Sequence, residues 1–271
     1  MNSIAPLTEI FQIASPRVGK TLEIMVGLPA PGPIKTPPRL LYVVDPGMYT
    51  TVAIDIARAL ARDREPIPPL LVVGVGTPIR SHQDSVDYLL RVRNGLLVPK
   101  EEGINDGIMS SIPDQPTQVA NQFLRFIAEE LDPLLRERYE LSPEPAGIFG
   151  HSYGGLFSAY ALAEQLPAFD RYILASPGTL QERATLQRLV NAAPDSLKGR
   201  VYLGLGEDED ASAKEYEGDL GVAWHRLVQA LAPARQPRVA LRTGIHAGQG
   251  HSTAPFFNLA RGLRWLYANG S

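Results

Sequence analysis

The chain has 271 residues, of which 44% are hydrophobic and 20% are charged, which suits one globular domain with a substantial core. Its 26 basic and 29 acidic side chains give a net charge of -3, and no block of like charge exceeds a few residues. This balance excludes the charge pattern of a protein that binds nucleic acid or an anionic membrane.

The sequence also lacks cysteine, a signal-peptide pattern and a long apolar segment. Without cysteine the chain has no disulfide, no thiol nucleophile and no thiolate metal site. The amino terminus shows no basic segment followed by an apolar run, and no stretch of about 18 apolar residues occurs. We therefore expect no signal peptide and no membrane contact, and we expect a cytoplasmic protein.

Short apolar segments bounded by Pro and Gly alternate with segments of helical periodicity. An antiparallel strand pair is predicted at 8–15 and 21–29. The pattern further predicts buried strands at 39–45 and 70–76, and strands at 146–150, 171–176, 200–206 and 238–244. Helices are predicted at 51–63, 117–140, 153–166, 180–193, 213–232 and 254–268. Such alternation is typical of an α/β fold, with a mostly parallel central sheet and helices on both faces.

One segment, 77–115, differs from the rest because it is polar, rich in Gly, Pro and Asp, and without sustained periodicity. A connection of this length inside a compact domain is usually functional. We therefore expect a single domain over 1–271, with 77–115 as a substrate or lid loop.

A serine lies between glycines where the predicted strand 146–150 meets the predicted helix 153–166. Gly150, Ser152 and Gly154 form the pattern Gly-x-Ser-x-Gly in "GIFGHSYGGLF". A sharp strand-to-helix turn presents a serine hydroxyl above the sheet, and small residues two before and two after relieve the crowding of strand against helix. The pattern predicts that Ser152 is a nucleophile, against the alternative of a helix-capping serine in an ordinary turn.

A nucleophilic serine needs a base, which in this architecture follows it in the chain. Of the five histidines, only His246 and His251 come after the last predicted strand. We prefer His251, because its Gly-rich loop opens onto the final helix and can bring an imidazole over the serine.

The acid that orients the base is expected in the acidic turn "GEDED" after the strand 200–206. The usual position, about three residues past the strand-end glycine, favours Glu209, with Asp208 second. The remaining charges of this turn are expected to be solvated.

Two backbone amides are expected to stabilise the oxyanion. One is that of Tyr153, directly after the serine, and the other comes from the turn "VVDPGMY" after an early buried strand, where Gly47 and Met48 are the candidates. An ordinary Pro-Gly turn is the alternative there.

No cofactor is expected. The segment 74–79 lacks the third glycine of a dinucleotide fingerprint, and the spacing of His246 and His251 is not that of a zinc motif.

With the serine turn, "GLGEDE" and "GQGHST" in place, the chain resembles the putative-esterase branch of the α/β hydrolases, which includes siderophore (enterobactin-type) esterases and S-formylglutathione hydrolases. The resemblance extends to the strand pair at 11–29, to "YVVDPG", to "FLRFIAEELDPLLRERY" and to the C-terminal histidine segment. It implies an α/β-hydrolase fold, with Ser152 as nucleophile, His251 as base and an acid within 207–209.

The middle loop departs from those relatives. Their Arg-x-x-Asp-x-Thr-Pro-like stretch is replaced by "RNGLLVP", with Leu96 and Val98 at the polar positions. Arg80, Arg91 and Arg93 remain to offer charge to a bulky anionic siderophore, whose pocket should also present aromatic faces.

We therefore expect a serine esterase that cleaves a small to medium, fairly apolar carboxylic ester or lactone. The alternatives are a siderophore-ester or thioester hydrolase, an acyltransferase that uses the same triad, and a catalytically silent binding module. The expected partner is a small-molecule ester.

Overall fold

The computed structural model describes residues 7–30, 36–100, 117–178, 184–210 and 219–268. Its centre is one sheet of eight strands in the order β1-β2-β4-β3-β5-β6-β7-β8. The strand bounds are β1 Thr8–Ser15, β2 Lys20–Gly27, β3 Arg39–Val44, β4 Leu70–Gly76, β5 Ala146–His151, β6 Phe169–Ala175, β7 Gly199–Gly206 and β8 Val239–His246.

The strand directions agree with the sequence pattern. β1 pairs antiparallel with β2, and β2 pairs antiparallel with β4. All other neighbouring pairs of this sheet are parallel. The predicted α/β architecture, with a mostly parallel sheet and an N-terminal antiparallel pair, is confirmed.

Helices connect the parallel strands. Their bounds are α1 Pro46–Leu60, α2 His82–Asp87, α3 Arg93–Leu97, α4 Ala120–Phe126, α5 Asp132–Arg138, α6 Tyr153–Glu164, α7 Ala184–Val190, α8 Asp219–Ala230 and α9 Ala254–Tyr267. Helix α1 begins five residues earlier than the predicted 51–63, because Pro46 occupies its first turn, where proline's fixed φ and missing N–H are tolerated. Parts of two predicted helices, 180–183 and 213–218, lie outside the described residues.

Two apolar clusters lie on opposite faces of the sheet, as the alternation of side chains along β3 shows. Leu40, Tyr42 and Val44 belong to one cluster with side chains of α4, α6 and α8. Leu41 and Val43 belong to the other with side chains of α1 and α9. Both faces of the sheet are therefore covered, as successive residues of a strand point to opposite sides.

The prediction of a loop at 77–115 is wrong for residues 82–97. There α2 and α3 are joined by a π-helical turn, Tyr88–Val92, into one continuous helical stretch. Its start is fixed by a capping box in which Ser81 and Asp84 bind each other's backbone N–H groups. Residues 101–115 of the predicted loop lie outside the described residues.

The predicted helix 117–140 is interrupted by a π-helical turn just before Pro133. The π-helical turn Ile127–Leu131 connects α4 to α5, and Pro133 falls in the first turn of α5. Proline has no N–H for the preceding helical turn, so a change of hydrogen-bond pattern at this point is expected. Within the described ranges, no helix is long and apolar enough to cross a membrane.

Candidate active site

Ser152 occupies the sharp turn between β5 and α6. Its backbone has φ 57° and ψ -119°, a conformation that residues other than glycine rarely adopt. A Cβ placed on Gly150 would lie 2.1 Å from the carbonyl oxygen of Gly154, so strand and helix meet here without room for a side chain. The glycines therefore have the spatial role that the Gly-x-Ser-x-Gly pattern predicts.

The serine turn is also tied to the strand beside it. The Ser152 N–H donates to the Ala175 carbonyl oxygen at 3.0 Å, and the Gly178 N–H donates to the Ser152 carbonyl oxygen at 2.9 Å. These bonds hold the turn at the carboxyl ends of β5 and β6, where ligands bind in open parallel sheets.

His251 is paired with Glu209. The His251 Nδ1 lies 2.5 Å from Glu209 Oε1, and the Glu209 side chain is fully buried. The other carboxylate oxygen, Oε2, accepts from the Gly206 N–H at 2.6 Å and from the Ser176 hydroxyl at 2.7 Å. With Oε2 occupied in this way, Oε1 faces the imidazole and favours the tautomer that keeps its proton on Nδ1. Nε2 is then left with the lone pair that a general base needs.

The neighbouring acidic residues hold the turn in place. Asp208 is exposed, and its N–H donates to the Gln249 carbonyl oxygen at 3.1 Å. Glu207 Oε2 accepts from the Gly248 N–H at 2.7 Å. Both bonds join the 3₁₀ turn Glu207–Glu209 to the loop that carries His251. Of the two predicted acids, the geometry favours Glu209 over Asp208.

His246, the second candidate base, faces a different partner. Its Nε2 lies 2.7 Å from Asn258 Oδ1 and 3.3 Å from the Tyr202 hydroxyl. The imidazole is buried, and this burial lowers the pKa of His246 below its ordinary value. His246 therefore faces an amide and a hydroxyl, whereas the carboxylate of Glu209 pairs with His251.

The serine turn and the His251–Glu209 pair meet through His151. The His151 ring centroid lies 4.4 Å from that of His251, and His151 directly precedes Ser152. Burial lowers the pKa of His151 well below its usual value, and the charges of His251 and Arg93 act in the same direction. A neutral imidazole therefore lies beside His251, and it adds no positive charge next to the candidate base.

The predicted oxyanion donors lie at the starts of two helices. Tyr153 is the first residue of α6, and Gly47 and Met48 lie in the first turn of α1 instead of in an open loop. The Met48 N–H donates to the Asp45 carbonyl oxygen at 3.0 Å. Pro46 has no N–H, so Gly47, which is exposed, is the better placed of the two candidate donors.

A buried cluster beneath this site was not predicted from the sequence. Asp45 is fully buried and forms two hydrogen bonds with Arg93, Nε to Oδ1 at 2.8 Å and Nη2 to Oδ2 at 2.9 Å. The Tyr88 hydroxyl donates to Asp45 Oδ1 at 2.8 Å. Burial, together with the Asp45 charge, raises the pKa of Tyr88 well above its ordinary value, which keeps this donor protonated.

This cluster corrects the expectation that Arg93 offers charge to a substrate, because Arg93 is turned inward onto Asp45. Arg80 forms a salt bridge with Glu23 and stays exposed. Leu96 and Val98, at the positions where relatives carry polar residues, are both buried in the core. Their apolar character therefore serves packing and carries no information on substrate.

Comparison with known proteins gives a consistent result. A family model described as "Putative esterase" matches residues 109–256. Ferri-bacillibactin esterase BesA of Bacillus subtilis is 25% identical over 96% of this chain and 89% of its own length. The siderophore hydrolase EstB from Aspergillus nidulans superposes with a TM-score of 0.76 at 24% identity, covering 98% of this chain and 97% of that one. A BES protein from Bacillus cereus gives 0.75 at 22% identity, covering 98% and 97%.

The fold and the serine turn at the strand ends define an α/β hydrolase. The matched segment covers more than half of the chain, which therefore belongs to the esterase family described by that model. Its activity is that of a carboxylic-ester hydrolase, as the resemblance noted in the sequence implies.

Proposed function

We propose that this esterase works through an acyl-enzyme on Ser152, with His251 as general base and Glu209 as the acid that orients it. His251 Nε2 takes the proton of the Ser152 hydroxyl as Oγ attacks the ester carbonyl. The protonated imidazole then returns that proton to the leaving alcohol as the acyl-enzyme forms. Water attacks the acyl-enzyme with the same base, and the carboxylic acid and free serine result.

The observation that carries this proposal is the fixed pairing of His251 with a fully buried carboxylate. Glu209 is held by two donors on one oxygen, so its other oxygen is available to orient the imidazole and to stabilise the positive charge that develops there. The amides of Tyr153 and Gly47 are the proposed donors to the oxyanion, each at the first turn of a helix whose dipole favours negative charge.

A siderophore ester is the second, narrower candidate for the substrate. Its support is the name of the relative that matches nearly the whole chain, a ferri-bacillibactin esterase, together with that of the structurally similar siderophore hydrolase EstB. The burial of Leu96 and Val98 removes the main sequence argument against it. The inward orientation of Arg93 means that cations for an anionic siderophore would have to come from other residues.

The test compares wild type with Ser152→Ala on p-nitrophenyl esters of increasing chain length and on a tricatecholate trilactone, with and without iron. Loss of the nucleophile should lower kcat by about 10⁶-fold. Ser158→Ala, at a buried serine of the same helix α6, is the matched control and should keep wild-type kcat. Wild-type turnover that survives in Ser152→Ala would contradict the mechanism, and the preferred substrate decides between the two ester classes.

A further inference from the structure

The Asp45 cluster, which consists of Asp45, Tyr88 and Arg93, lies between the two turns that carry the proposed oxyanion donors. Asp45 is the residue between β3 and α1, immediately before Pro46 and Gly47. Arg93 and Tyr88 come from the helical stretch 82–97, which neither turn belongs to. All three side chains are buried, with Asp45 fully inaccessible.

One guanidinium bridges the two turns. Besides its two bonds to Asp45, Arg93 Nη2 donates to the carbonyl oxygen of His151 at 2.9 Å. That carbonyl belongs to the same planar peptide unit as the Ser152 N–H, so its position constrains the nucleophile directly. The Arg93 guanidinium also lies 5.5 Å from the ring centroid of Tyr153, the residue after the serine.

Asp45 itself adopts a backbone conformation that needs support. Its φ of 60° and ψ of 60° lie in the left-handed region, which Asp tolerates better than most residues but still at a cost in free energy. Its carboxylate oxygen Oδ2 lies 3.1 Å from the position that a Cβ on Gly154 would take, so the cluster contacts the serine turn as well. The side-chain bonds to Arg93 and Tyr88 hold this residue, and thereby the start of α1, in place.

We propose that Arg93 is a positioning residue that sets the distance between the Gly47 and Tyr153 amides by clamping Asp45 to the His151 carbonyl. This inference rests on the serine mechanism proposed above. Arg93 acts through its neighbours, and the clamp determines how well the two amides meet the oxyanion of the transition state. A shift of about 1 Å in such a site lowers the rate by about 10²-fold.

The molecule contains a matched control for this cluster. Asp132 is also buried, and it binds Arg136 Nε through Oδ1 at 2.5 Å and accepts from the Tyr42 hydroxyl on Oδ2 at 3.2 Å. This second group, the Asp132 cluster of Tyr42, Asp132 and Arg136, repeats the carboxylate, guanidinium and tyrosine of the first. Its Arg136 binds the carbonyl oxygens of Ser142 and Glu144 and no residue of the proposed site.

The experiment compares Arg93→Lys with Arg136→Lys. Lysine keeps the charge but lacks the planar fork that serves two carboxylate oxygens and a carbonyl at once. We expect Arg93→Lys to lower kcat on a p-nitrophenyl ester by about 30- to 100-fold with KM within about threefold, and Arg136→Lys to keep kcat within about twofold. The pH profile of kcat should be unchanged in both variants, because the His251–Glu209 pair is untouched.

A gentler pair covers the case in which the lysine variants do not fold. Tyr88→Phe and Tyr42→Phe each remove one hydroxyl from the matching carboxylate. We expect Tyr88→Phe to lower kcat by about threefold to tenfold and Tyr42→Phe to leave it unchanged, while thermal unfolding reports the loss of stability in each.

The outcomes separate the inference from the proposed function. In one outcome, wild type hydrolyses esters and is labelled on Ser152 by a fluorophosphonate, and the variants of the Asp45 cluster keep the kcat of wild type. This outcome would overturn the clamp alone. So would an equal loss of kcat in both clusters, or a loss confined to KM. Wild type that neither turns over nor is labelled would overturn the proposed function, and the clamp with it.

Discussion

His246 is the last residue of strand β8 and His251 follows it in the next loop, yet the two meet partners of different charge. His251 Nδ1 faces the carboxylate of Glu209, whereas His246 Nε2 faces the amide oxygen of Asn258. A carboxylate both fixes the tautomer and stabilises an imidazolium, whereas an amide only fixes orientation. The partner therefore distinguishes the candidate catalytic histidine, because the two residues lie close together in the chain and chain position alone does not separate them.

The largest expected effect comes from removing each imidazole in turn. We expect His251→Gln to lower kcat by about 10⁴- to 10⁶-fold, because the serine proton then has no acceptor. His246→Gln should keep kcat within about threefold, as its hydrogen bond to Asn258 lies outside the proposed triad. Steady-state kinetics on one activated ester measures both variants. Equal losses in the two would show that the partner does not distinguish these histidines.

The next effect comes from changing the partner's charge. In Glu209→Gln the amide oxygen must take the place of Oε2, which has two donors within 2.7 Å, so the NH₂ group faces His251. The imidazole then accepts on Nδ1 and carries its proton on Nε2, where it cannot act as a base. We expect kcat to fall by about 10³- to 10⁴-fold.

The matching change at the second histidine is Asn258→Asp, which places a carboxylate beside His246. It should leave kcat within about twofold, since that imidazole takes no part in the proposed proton transfer. Kinetics on the same ester measures both partner variants. A Glu209→Gln variant as active as wild type would remove Glu209 from the mechanism.

The smallest effect concerns stability against pH. Burial lowers the pKa of both His151 and His246 from the ordinary 6.5. As the pH falls below about 6.5, the unfolded chain binds protons on these imidazoles before the folded chain does, so the free energy of unfolding declines. Each residue contributes at most about 1.4 kcal/mol per pH unit.

Urea unfolding at about pH 7.5 and about pH 5.5 measures this decline. His246→Gln should be less sensitive to acid than wild type, because it removes one of the two buried imidazoles. An unchanged acid sensitivity in His246→Gln would contradict the role of its burial.

Local sequence patterns predicted most of the proposed site because its residues lie at strand ends. Gly150, Ser152 and Gly154 are contiguous, and the acid and base follow β7 and β8 in chain order. Glycine is needed where β5 contacts α6, and these two elements are adjacent in the chain, so a short sequence pattern reveals the contact. The fold was predictable for the same reason, as most strands of the sheet are apolar and Pro or Gly marks the turns between elements.

The Asp45 cluster was not predictable in this way. Arg93 meets Asp45 across 48 positions of the chain, and no periodicity relates them. The helical stretch 82–97 was missed because it buries polar Arg93 and Asn94, which break the apolar repeat that identifies a helix. The Ser81–Asp84 capping box is the local sequence pattern that could have located the start of this stretch.

The strained conformation of Ser152 has a consequence for how such a chain evolves. A φ of 57° costs a serine about 1 kcal/mol or more, and glycine would adopt the same backbone freely. Gly150 is required by space alone, because its Cβ would meet the Gly154 backbone, so this glycine persists whatever the activity. A relative released from selection for catalysis would therefore gain stability by drifting to glycine at this one position. In such a relative the pattern Gly-x-Ser-x-Gly would become Gly-x-Gly-x-Gly, and this change would indicate that the activity had been lost.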